Sequence, residues 1–310
     1  MQTWLEETWG LTVPVIGAPM AGPGGGRLAA AISAAGALGM IGVGGSRDRD
    51  WIAQQAATAA EAGRPYGIGL MAWALERDDR GLEAVLALPE EHRPALVSVS
   101  FGELTGPVRR LQEAGIRTAT QVGDLADLAR AEEAGVDLVV ARGGEGGGHG
   151  RDTMATLPLL QLVLERTDRP VVAAGGIINH RGVAAVLAAG AAGAWVGTAF
   201  LGCAEADNTP EARQALFAAR DTGYGRVFDV VQQVPWPREY GGRAVANPFF
   251  TEWAGREEQI GPDARERHQR AVAAQDFSAA HLYAGEGVAA LTGERTAAEV
   301  VESLTPRAAR

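Results

Sequence analysis

Short apolar runs alternate along most of the chain with longer segments in which alanines and charged residues mix. The apolar runs are rich in β-branched residues, which favours strands buried on both faces of a parallel sheet. Because a longer segment follows each run, the pattern indicates repeated strand–helix units. Eight strands are predicted, near Pro14–Ala18, Leu38–Val43, Tyr66–Met71, Ala95–Ser100, Arg117–Gln121, Asp137–Ala141, Val171–Ala174 and Ala194–Ala199.

Helices are predicted between these strands and after the last one. Several end at Ala-Gly pairs such as Ala62-Gly63, because glycine suits the left-handed conformation that closes a helix. Eight units in about 200 residues is the count for a (β/α)8 barrel. The alternative is a doubly wound open sheet, which usually has fewer strands and a dinucleotide fingerprint at its first turn. The predicted helices are Gly26–Ala35, Arg49–Ala62, Arg77–Leu88, Gly106–Ala114, Asp124–Ala134, Leu157–Arg166, Arg181–Ala189 and Pro210–Arg220.

The alternation stops after Arg220. We predict a barrel over residues 1–222, a mostly irregular and helical cap over 223–288, and a C-terminal helix within 289–310 that returns to the barrel. Thr296 and Glu299 have the spacing of a capping box at the start of that helix. The prolines and aromatic residues of the cap could line a substrate pocket over the barrel mouth. A surface appendage or a homodimer contact is the alternative for this region.

Composition limits the chemistry. Of the 310 residues, 46% are apolar and 21% charged, which fits a packed protein. A formal charge of −10 argues against nucleic acid as a partner, because phosphate binding needs basic patches. The chain contains no lysine, so Schiff-base and pyridoxal-phosphate chemistry are excluded.

Cys203 is the only cysteine, which excludes an intramolecular disulfide and cysteine-based metal clusters. The N-terminal residues lack the layout of a secretion signal, so we expect a cytoplasmic protein. The uncharged stretch Val183–Ala204 has the length of a membrane span, but its glycines and alanines indicate helix, turn and strand instead. We therefore expect no membrane association.

Glycines follow three successive predicted strands, in the run Gly143 to Gly148 and in the pairs Gly175-Gly176 and Gly197-Thr198. Glycine lets a backbone turn tightly and approach a ligand closely, so Gly147 and Gly148 are expected at the ligand. In barrels of this class the loops after the last two strands often hold a phosphate. A phosphorylated ligand is therefore predicted.

Two further features lie at the predicted mouth. Ala18, Pro19 and Met20 follow the first strand, where a flat ring could lie against them. His149 ends the glycine run and is the candidate catalytic base or hydrogen-bond donor. The other histidines are expected at the surface, in packing or at a helix start, and no pair has metal-ligand spacing, so no metal is predicted.

Motifs along nearly the whole chain point to one family. They are Ala18-Pro19-Met20, Gly143 to His149, Ala173 to Ile177, Gly197 to Leu201, Pro235-Trp236-Pro237, Asn247 to Thr251, Gly255 to Glu257 and Tyr283-Ala284-Gly285. Together they resemble the nitronate monooxygenases, formerly called 2-nitropropane dioxygenases. The wider family also includes FMN-dependent NADH:quinone reductases and enoyl-acyl-carrier-protein reductases on the same barrel.

The resemblance implies a barrel that binds FMN without covalent attachment, with the phosphate at Gly175, Gly176, Gly197 and Thr198 and the ring near Ala18, Pro19 and Met20. His149 matches the family's active-site histidine, which takes a proton from a nitroalkane or assists a bound nitronate. The nitronate then passes an electron to the flavin, O2 adds, and a carbonyl compound and nitrite are released.

Three departures from the family pattern affect the site. Gly69 stands where the family often has Asn, and Arg142 where it often has Gln; both positions usually contact the flavin. Arg142 could stabilise an anionic flavin or substrate, or it could point away. His149 is followed by Gly150-Arg151, whereas relatives often have Arg and then Gly.

Four functions are compatible with these observations. The first is an FMN-dependent monooxygenase of nitronates, and the second is an FMN-dependent NAD(P)H:quinone or enoyl reductase. A flavin-free isomerase or lyase of sugar phosphates is disfavoured, because lysine is absent and no carboxylate pair stands at the strand ends. The fourth is a flavin-binding sensor without turnover.

Overall fold

A computed structural model describes residues 2–45 and 48–306 of the chain. Eight parallel strands form the main sheet, and three antiparallel strands form a second, smaller sheet. The strands are β1 (Val15–Gly17), β2 (Gly39–Gly42), β3 (Tyr66–Met71), β4 (Leu96–Ser100), β5 (Arg117–Val122), β6 (Leu138–Arg142), β7 (Gly148–Gly150), β8 (Val171–Ala174), β9 (Gly193–Val196), β10 (Thr222–Gly225) and β11 (Gly241–Val245).

The main sheet closes into a barrel. Its order is β1-β9-β8-β6-β5-β4-β3-β2, with every neighbouring pair parallel. The two ends of that order meet, because the Gly17 amide donates to the Leu38 carbonyl over 2.8 Å and the Leu38 amide to the Val15 carbonyl over 3.0 Å. The predicted (β/α)8 fold is confirmed, and each of its eight strands lies where the apolar runs place it.

Helices surround the barrel and continue into the C-terminal part. Side chains cap several of them, as where Asp124 accepts a hydrogen bond from the amide of Asp127. The helices are α1 (Trp4–Trp9), α2 (Gly26–Ala34), α3 (Arg49–Ala60), α4 (Ala72–Leu75), α5 (Arg80–Leu86), α6 (Thr105–Glu113), α7 (Leu125–Ala134), α8 (Thr156–Leu164), α9 (His180–Ala188), α10 (Pro210–Ala218), α11 (Val227–Gln232), α12 (Pro248–Trp253), α13 (Pro262–Ala274) and α14 (Ala297–Leu304).

Two predicted elements of the barrel differ from the sequence-based boundaries by three residues. The helix predicted over Arg77–Leu88 begins at Arg80, because the Asp78 carboxylate accepts a hydrogen bond from the Arg80 amide and starts the helix there. A separate short helix, α4, precedes it. The last barrel strand ends at Val196, and the next residues turn into a 3-10 helix at Thr198–Phe200.

Alternate residues of the strands face two apolar layers. Val140 and Val172 point into the barrel and pack in one cluster with Leu5 of α1, which is fully buried. Their sequence neighbours Val139 and Val171 pack against the surrounding helices. Burial on both faces explains why the barrel strands read as continuous apolar runs rather than as alternating ones.

The C-terminal part contains more regular structure than predicted. Strands β10 and β11 pair with β7 in an antiparallel sheet, and β7 comes from the glycine-rich segment after β6. Helices α11 to α13 pack against this sheet around Phe228, Phe249 and Phe250. We call residues 222–285 the cap. Because β7 belongs to the barrel's own loop, the barrel and the cap share a sheet.

Helix α14 returns to the barrel and packs against α2 and α9. Its predicted capping box is present, since the Thr296 hydroxyl accepts from the Glu299 amide and the Glu299 carboxylate accepts from the Thr296 amide. Residues 307–310 of the predicted C-terminal segment lie outside the described residues. The exact limits of the predicted domains stay predictions.

No described helix combines the length and apolarity needed to cross a bilayer. The stretch Val183–Ala204 is divided among α9, β9 and the 3-10 turn that follows. Cys203 is buried, and burial raises the pKa of its thiol to about 12, so the thiol stays protonated at neutral pH.

A pair of histidines lies in the core of the cap. His268 Nε2 and His281 Nδ1 are 3.4 Å apart, and Phe228 and Phe249 flank the His268 ring. Burial and the neighbouring His281 lower the pKa of His268 to about 4, and burial also lowers the pKa of His281. Both rings are therefore neutral in the folded protein at pH 7.

We expect the free energy of unfolding to fall as the pH drops from about 6.5 to about 4. Over this range the unfolded chain binds a proton at His268 that the folded protein excludes, so stability rises with pH. His268→Gln should flatten this dependence, whereas His92→Gln, outside the cap core, should preserve it. Urea unfolding at several pH values measures both slopes, and equal slopes for His268→Gln and the unsubstituted protein would contradict the assignment.

Candidate active site

The side chain of Arg142 holds the glycine-rich segment that follows β6 in place. The Nη2 group of Arg142 donates to the carbonyls of Gly146, Gly147 and Gly148 over 2.6, 3.3 and 3.1 Å, and Nη1 donates to the Arg151 carbonyl over 3.0 Å. Arg142 is 4% exposed, and burial lowers its pKa to about 10, so it remains charged at neutral pH. This placement corresponds to the alternative that Arg142 points away from the mouth.

A second buried arginine holds the same segment from the cap. Arg243 Nε donates to the Gly144 carbonyl over 2.6 Å, and its Nη groups pair with Asp152 and Glu286 at 3.0 and 3.3 Å. Within the segment, the Glu145 carboxylate accepts from the amide and the hydroxyl of Thr156. The glycine-rich segment is therefore a fixed structure, although its composition suggests a flexible loop.

Because carbonyls of the glycine-rich segment point to Arg142, some of its backbone amides point to the opposite side. In a trans peptide the C=O and the next N–H point in opposite directions, so carbonyls that converge on Arg142 turn the following amides away from it. The amide of Gly147 has no acceptor among the described residues, and neither do the amides of Gly176, Gly197 and Thr198. Gly147 and Gly176 are exposed, so these donors are open to a ligand at this edge of the barrel.

These donors lie side by side. The Gly285 amide donates to Thr198 Oγ1 over 2.9 Å, and a Cβ atom on Gly147 would lie 2.4 Å from the Gly285 nitrogen. Gly176 has φ +68°, and a Cβ atom there would lie 3.6 Å from Glu145 Cβ, an ordinary contact distance. We call Gly147, Gly176, Gly197, Thr198 and Gly285 the cradle. Gly175, the residue before Gly176, has φ +108°, and Gly148, the residue after Gly147, has φ +70°.

The end of β1, with Ala18, Pro19 and Met20, adjoins the cradle. A Cβ atom on Gly197 would lie 3.3 Å from Ala18 Cβ and 3.6 Å from Met20 Sδ. On the other side, a Cβ atom on Gly69 would lie 2.4 Å from Pro19 Cβ. The packing thus explains why glycine stands at 69, since a side chain there would displace Pro19.

His149 lies on β7 between the cradle and the cap. Its Nε2 atom is 2.7 Å from Oδ1 of Asp229 on α11, and the two side chains are 10% and 2% exposed. The imidazole stacks on Trp236 at 3.7 Å between ring centroids, with 4° between the planes. Its other nitrogen, Nδ1, has no hydrogen-bond partner among the described residues. His149 and Asp229 form a buried dyad with one free nitrogen.

Tyr283 also packs beside the dyad, with its ring 5.2 Å from His149. Burial, together with the negative charge of Asp229, raises the pKa of the Tyr283 hydroxyl, so it is a neutral phenol. Arg226 Nε lies 3.7 Å from Asp229 Oδ2. The buried carboxylate therefore has a positive neighbour.

Four aromatic residues form a wall above the ends of β3 and β4. Trp73 and Phe101 come from the segments after those strands, and Trp236 and Tyr240 come from the cap. We call these four residues the aromatic wall. Trp236 contacts Trp73 at 5.1 Å and Phe101 at 5.4 Å between centroids, and Phe101 contacts Tyr240 at 5.2 Å. The wall and the cradle lie at opposite sides of the same barrel mouth.

The sequence did not indicate every residue of this arrangement. Asp229, Phe101 and Trp73 carry no motif of their own, although Trp73 and Phe101 follow barrel strands, a position that marks active-site residues in this class. Gly285 and Trp236 lie in motifs of the family resemblance but were not assigned to the site.

A closed parallel barrel whose strand ends carry an amide cradle and a histidine–carboxylate dyad has the layout of a (β/α)8-barrel enzyme. The family model described as "Nitronate monooxygenase" matches residues 2–307. The chain belongs to the nitronate monooxygenase family, and it is an oxidoreductase of the monooxygenase type.

Individual relatives agree with this assignment. The chain is 34% identical over 259 residues to a nitronate monooxygenase of Paraburkholderia phytofirmans, covering 69% of this chain and 71% of that protein. It is similar to the structure of a nitroalkane oxidase from Streptomyces ansochromogenes, with 30% identity, a TM-score of 0.82 and coverage of 97% and 96%. The FabK structure from Thermotoga maritima has 27% identity, a TM-score of 0.82 and coverage of 98% and 95%.

We expect Arg142→Met to lower the free energy of unfolding by about 2–4 kcal/mol, because it leaves buried carbonyls without a donor. Amide hydrogen exchange should accelerate in residues 143–150, which lose their anchor. The matched control is Arg109→Met, since the Arg109 side chain is 72% exposed and lies on α6. Urea unfolding and exchange mass spectrometry measure both effects, and unchanged exchange in this segment would show that Arg142 does not hold it.

Proposed function

We propose that this enzyme binds FMN at the barrel mouth and oxidises nitroalkanes and their nitronates with O2 to a carbonyl compound and nitrite. The observation that carries the proposal is the convergence of the cradle amides beside the His149–Asp229 dyad. The cradle supplies donors to an anion, and the dyad supplies a base at the same barrel mouth. The family relationship supports both parts.

The residues present fit FMN. The amides of Gly147, Gly176 and Thr198 would hold its phosphate, assisted by the positive end of the nine-residue helix α9, which begins four residues after Gly176. The ring system would lie near Pro19 and Met20. Gly69 has no side chain and so leaves the space that Pro19 occupies. Gly148 and Gly175 provide the positive φ angles that the two turns require.

The dyad defines how His149 would act. With the ionised Asp229 as acceptor, Nε2 carries the proton, and Nδ1 keeps a lone pair. That lone pair would take the α-proton of a neutral nitroalkane, and Asp229 would stabilise the imidazolium that results. Trp236 and Tyr283 hold the ring in place and exclude water from it. When bound, FMN supplies the electron-accepting chemistry and the transfer to O2.

We expect Gly176→Val to lose FMN, because a side chain would enter the cradle. Gly10→Val is the matched control: Gly10 has φ +64° against +68° at Gly176, both are free of close contacts, and Gly10 lies at the other end of the barrel. The two variants carry the same backbone strain, so a difference in flavin content reports the cradle alone. Absorbance of the purified proteins after reconstitution with FMN measures it, and equal occupancy would place the phosphate elsewhere.

We expect His149→Ala to lower kcat/KM for nitroethane about 10²–10⁴-fold while flavin is retained, since it removes general-base assistance. Preformed ethyl nitronate, which needs no deprotonation, should be affected much less. Asp229→Asn should lower the nitroethane rate in the same direction, and His92→Ala should leave it unchanged. Oxygen consumption with the two substrate forms measures the ratio, and an equal loss for both forms would contradict the role of base.

The same preparation tests the alternative reductase. Rapid anaerobic reduction of the flavin by NADH, together with no oxygen consumption on nitronates, would assign the barrel to NAD(P)H-dependent reduction instead. Nitronate-dependent flavin reduction without NADH supports the monooxygenase.

A further inference from the structure

The aromatic wall points to the substrate class. We propose that the site selects nitro compounds whose chain is uncharged and apolar, aliphatic or aromatic, and that it discriminates against those carrying a carboxylate. This inference rests on the proposed function, because it concerns the substrate of the same site. It follows from the shape of the wall, from a strained residue within it and from the pairing of the nearby cations.

The wall is continuous with the catalytic dyad. Trp236 stacks directly on the His149 imidazole, and Trp73 and Phe101 pack against Trp236 from the side of β3 and β4. A nitroalkane whose acidic carbon reaches His149 would therefore place its chain along these rings. Large aromatic surfaces favour apolar and flat groups.

Phe101 is held in this wall by a constrained backbone. It has φ +72°, a conformation that residues with side chains rarely adopt and that tends to occur at functional sites. The Trp73 amide donates to the Phe101 carbonyl over 3.1 Å, and a Cβ atom on Gly102 would lie 2.7 Å from the Trp73 nitrogen. The close packing of these two segments directs the Phe101 ring between Trp236 and Tyr240.

The arginines beside the wall and the dyad are already paired. Arg151 binds Asp127 over 2.8 Å while lying over the Tyr240 ring. Arg226 donates to the Trp236 carbonyl over 2.9 Å and faces Asp229. Within residues 2–45 and 48–306, a substrate carboxylate would therefore lose its water shell without gaining a free cation, and that transfer is costly.

Charge at longer range acts in the same direction. Asp229 places a negative charge behind His149, and the whole chain carries −10. Two further cations on this side, both among the described residues, are exposed: Arg77 lies over Trp73 at 5.6 Å, and Arg238 follows the Trp236 turn. Exposed arginines are screened by water and salt, so they attract a carboxylate only weakly.

The kinetic test compares 1-nitropropane with 3-nitropropanoate, in which a carboxylate replaces the methyl group. With the FMN-loaded enzyme and both compounds supplied as preformed nitronates, kcat/KM should be about 10- to 100-fold higher for 1-nitropropane, the range that an apolar pocket provides per group. Equal or higher kcat/KM for 3-nitropropanoate would overturn the inference. If neither nitronate is oxidised, the proposed function itself fails.

A binding test separates the two failures, because it does not depend on turnover. Nitrobenzene has no acidic hydrogen, and 4-nitrobenzoate differs from it only by a carboxylate. Isothermal titration calorimetry of the full chain should show binding of nitrobenzene and at least about 10-fold weaker binding of 4-nitrobenzoate. Equal affinities would contradict the wall's selectivity, whether or not nitronates are oxidised.

Two tryptophan variants test which residues form the binding surface for nitrobenzene. Trp73→Ala should weaken nitrobenzene binding about 10-fold, since part of the apolar surface is lost. Trp9→Ala is the matched control, because Trp9 is a half-buried tryptophan that packs on Trp4 before the first barrel strand. Loss of binding in Trp9→Ala alone, or no loss in Trp73→Ala, would overturn the assignment of the binding surface.

Discussion

The contact between the Arg142 guanidinium and the carbonyls of the glycine-rich segment is the interaction on which the site depends. Five glycines and one glutamate make up residues 143–148 and have little conformational preference of their own. Arg142 fixes them by drawing three successive carbonyls to one charge. The same contact aims the amides outward and sets the start of β7, from which His149 reaches the cap.

The antiparallel sheet that the barrel and the cap share holds these two parts of the molecule in one arrangement. Because β7 pairs with β11, the barrel loop and the cap cannot move independently without breaking strand hydrogen bonds. Arg243, on β11, is the second guanidinium in contact with this segment and donates a hydrogen bond to the Gly144 carbonyl. The cap in turn brings Asp229 and Trp236 to His149 and Gly285 to Thr198. The base and the anion site are thus assembled from both parts at once.

The sequence predicted the barrel and most of the cradle, but not the dyad. Strands buried on both faces give apolar runs that are visible in one dimension, and glycine turns at strand ends are equally visible, as with Gly175-Gly176. Asp229 lies on a short helix 80 residues from His149, and no local pattern links the two. Such pairings depend on tertiary packing that a single sequence does not encode in its spacing.

The role of Arg142 shows the same limit. As a residue type at a strand end, it suggested contact with a ligand, whereas the structure uses it to support the loop. A segment of flexible composition is therefore fixed in part by a buried charge at the end of the preceding strand, β6, which satisfies its carbonyls. The small sheet of the cap was also not indicated, since β7 and β10 are rich in glycine and lack the alternation typical of strands.

The central claim is that this fixed segment presents backbone amides to a phosphate. The most direct measurement is amide hydrogen exchange of the flavin-free protein with FMN and, separately, with riboflavin, which lacks the phosphate. We expect FMN to slow exchange within residues 143–149, 175–178 and 197–199 and riboflavin to protect these segments far less. Equal protection by both ligands, or FMN binding without protection of these segments, would contradict it.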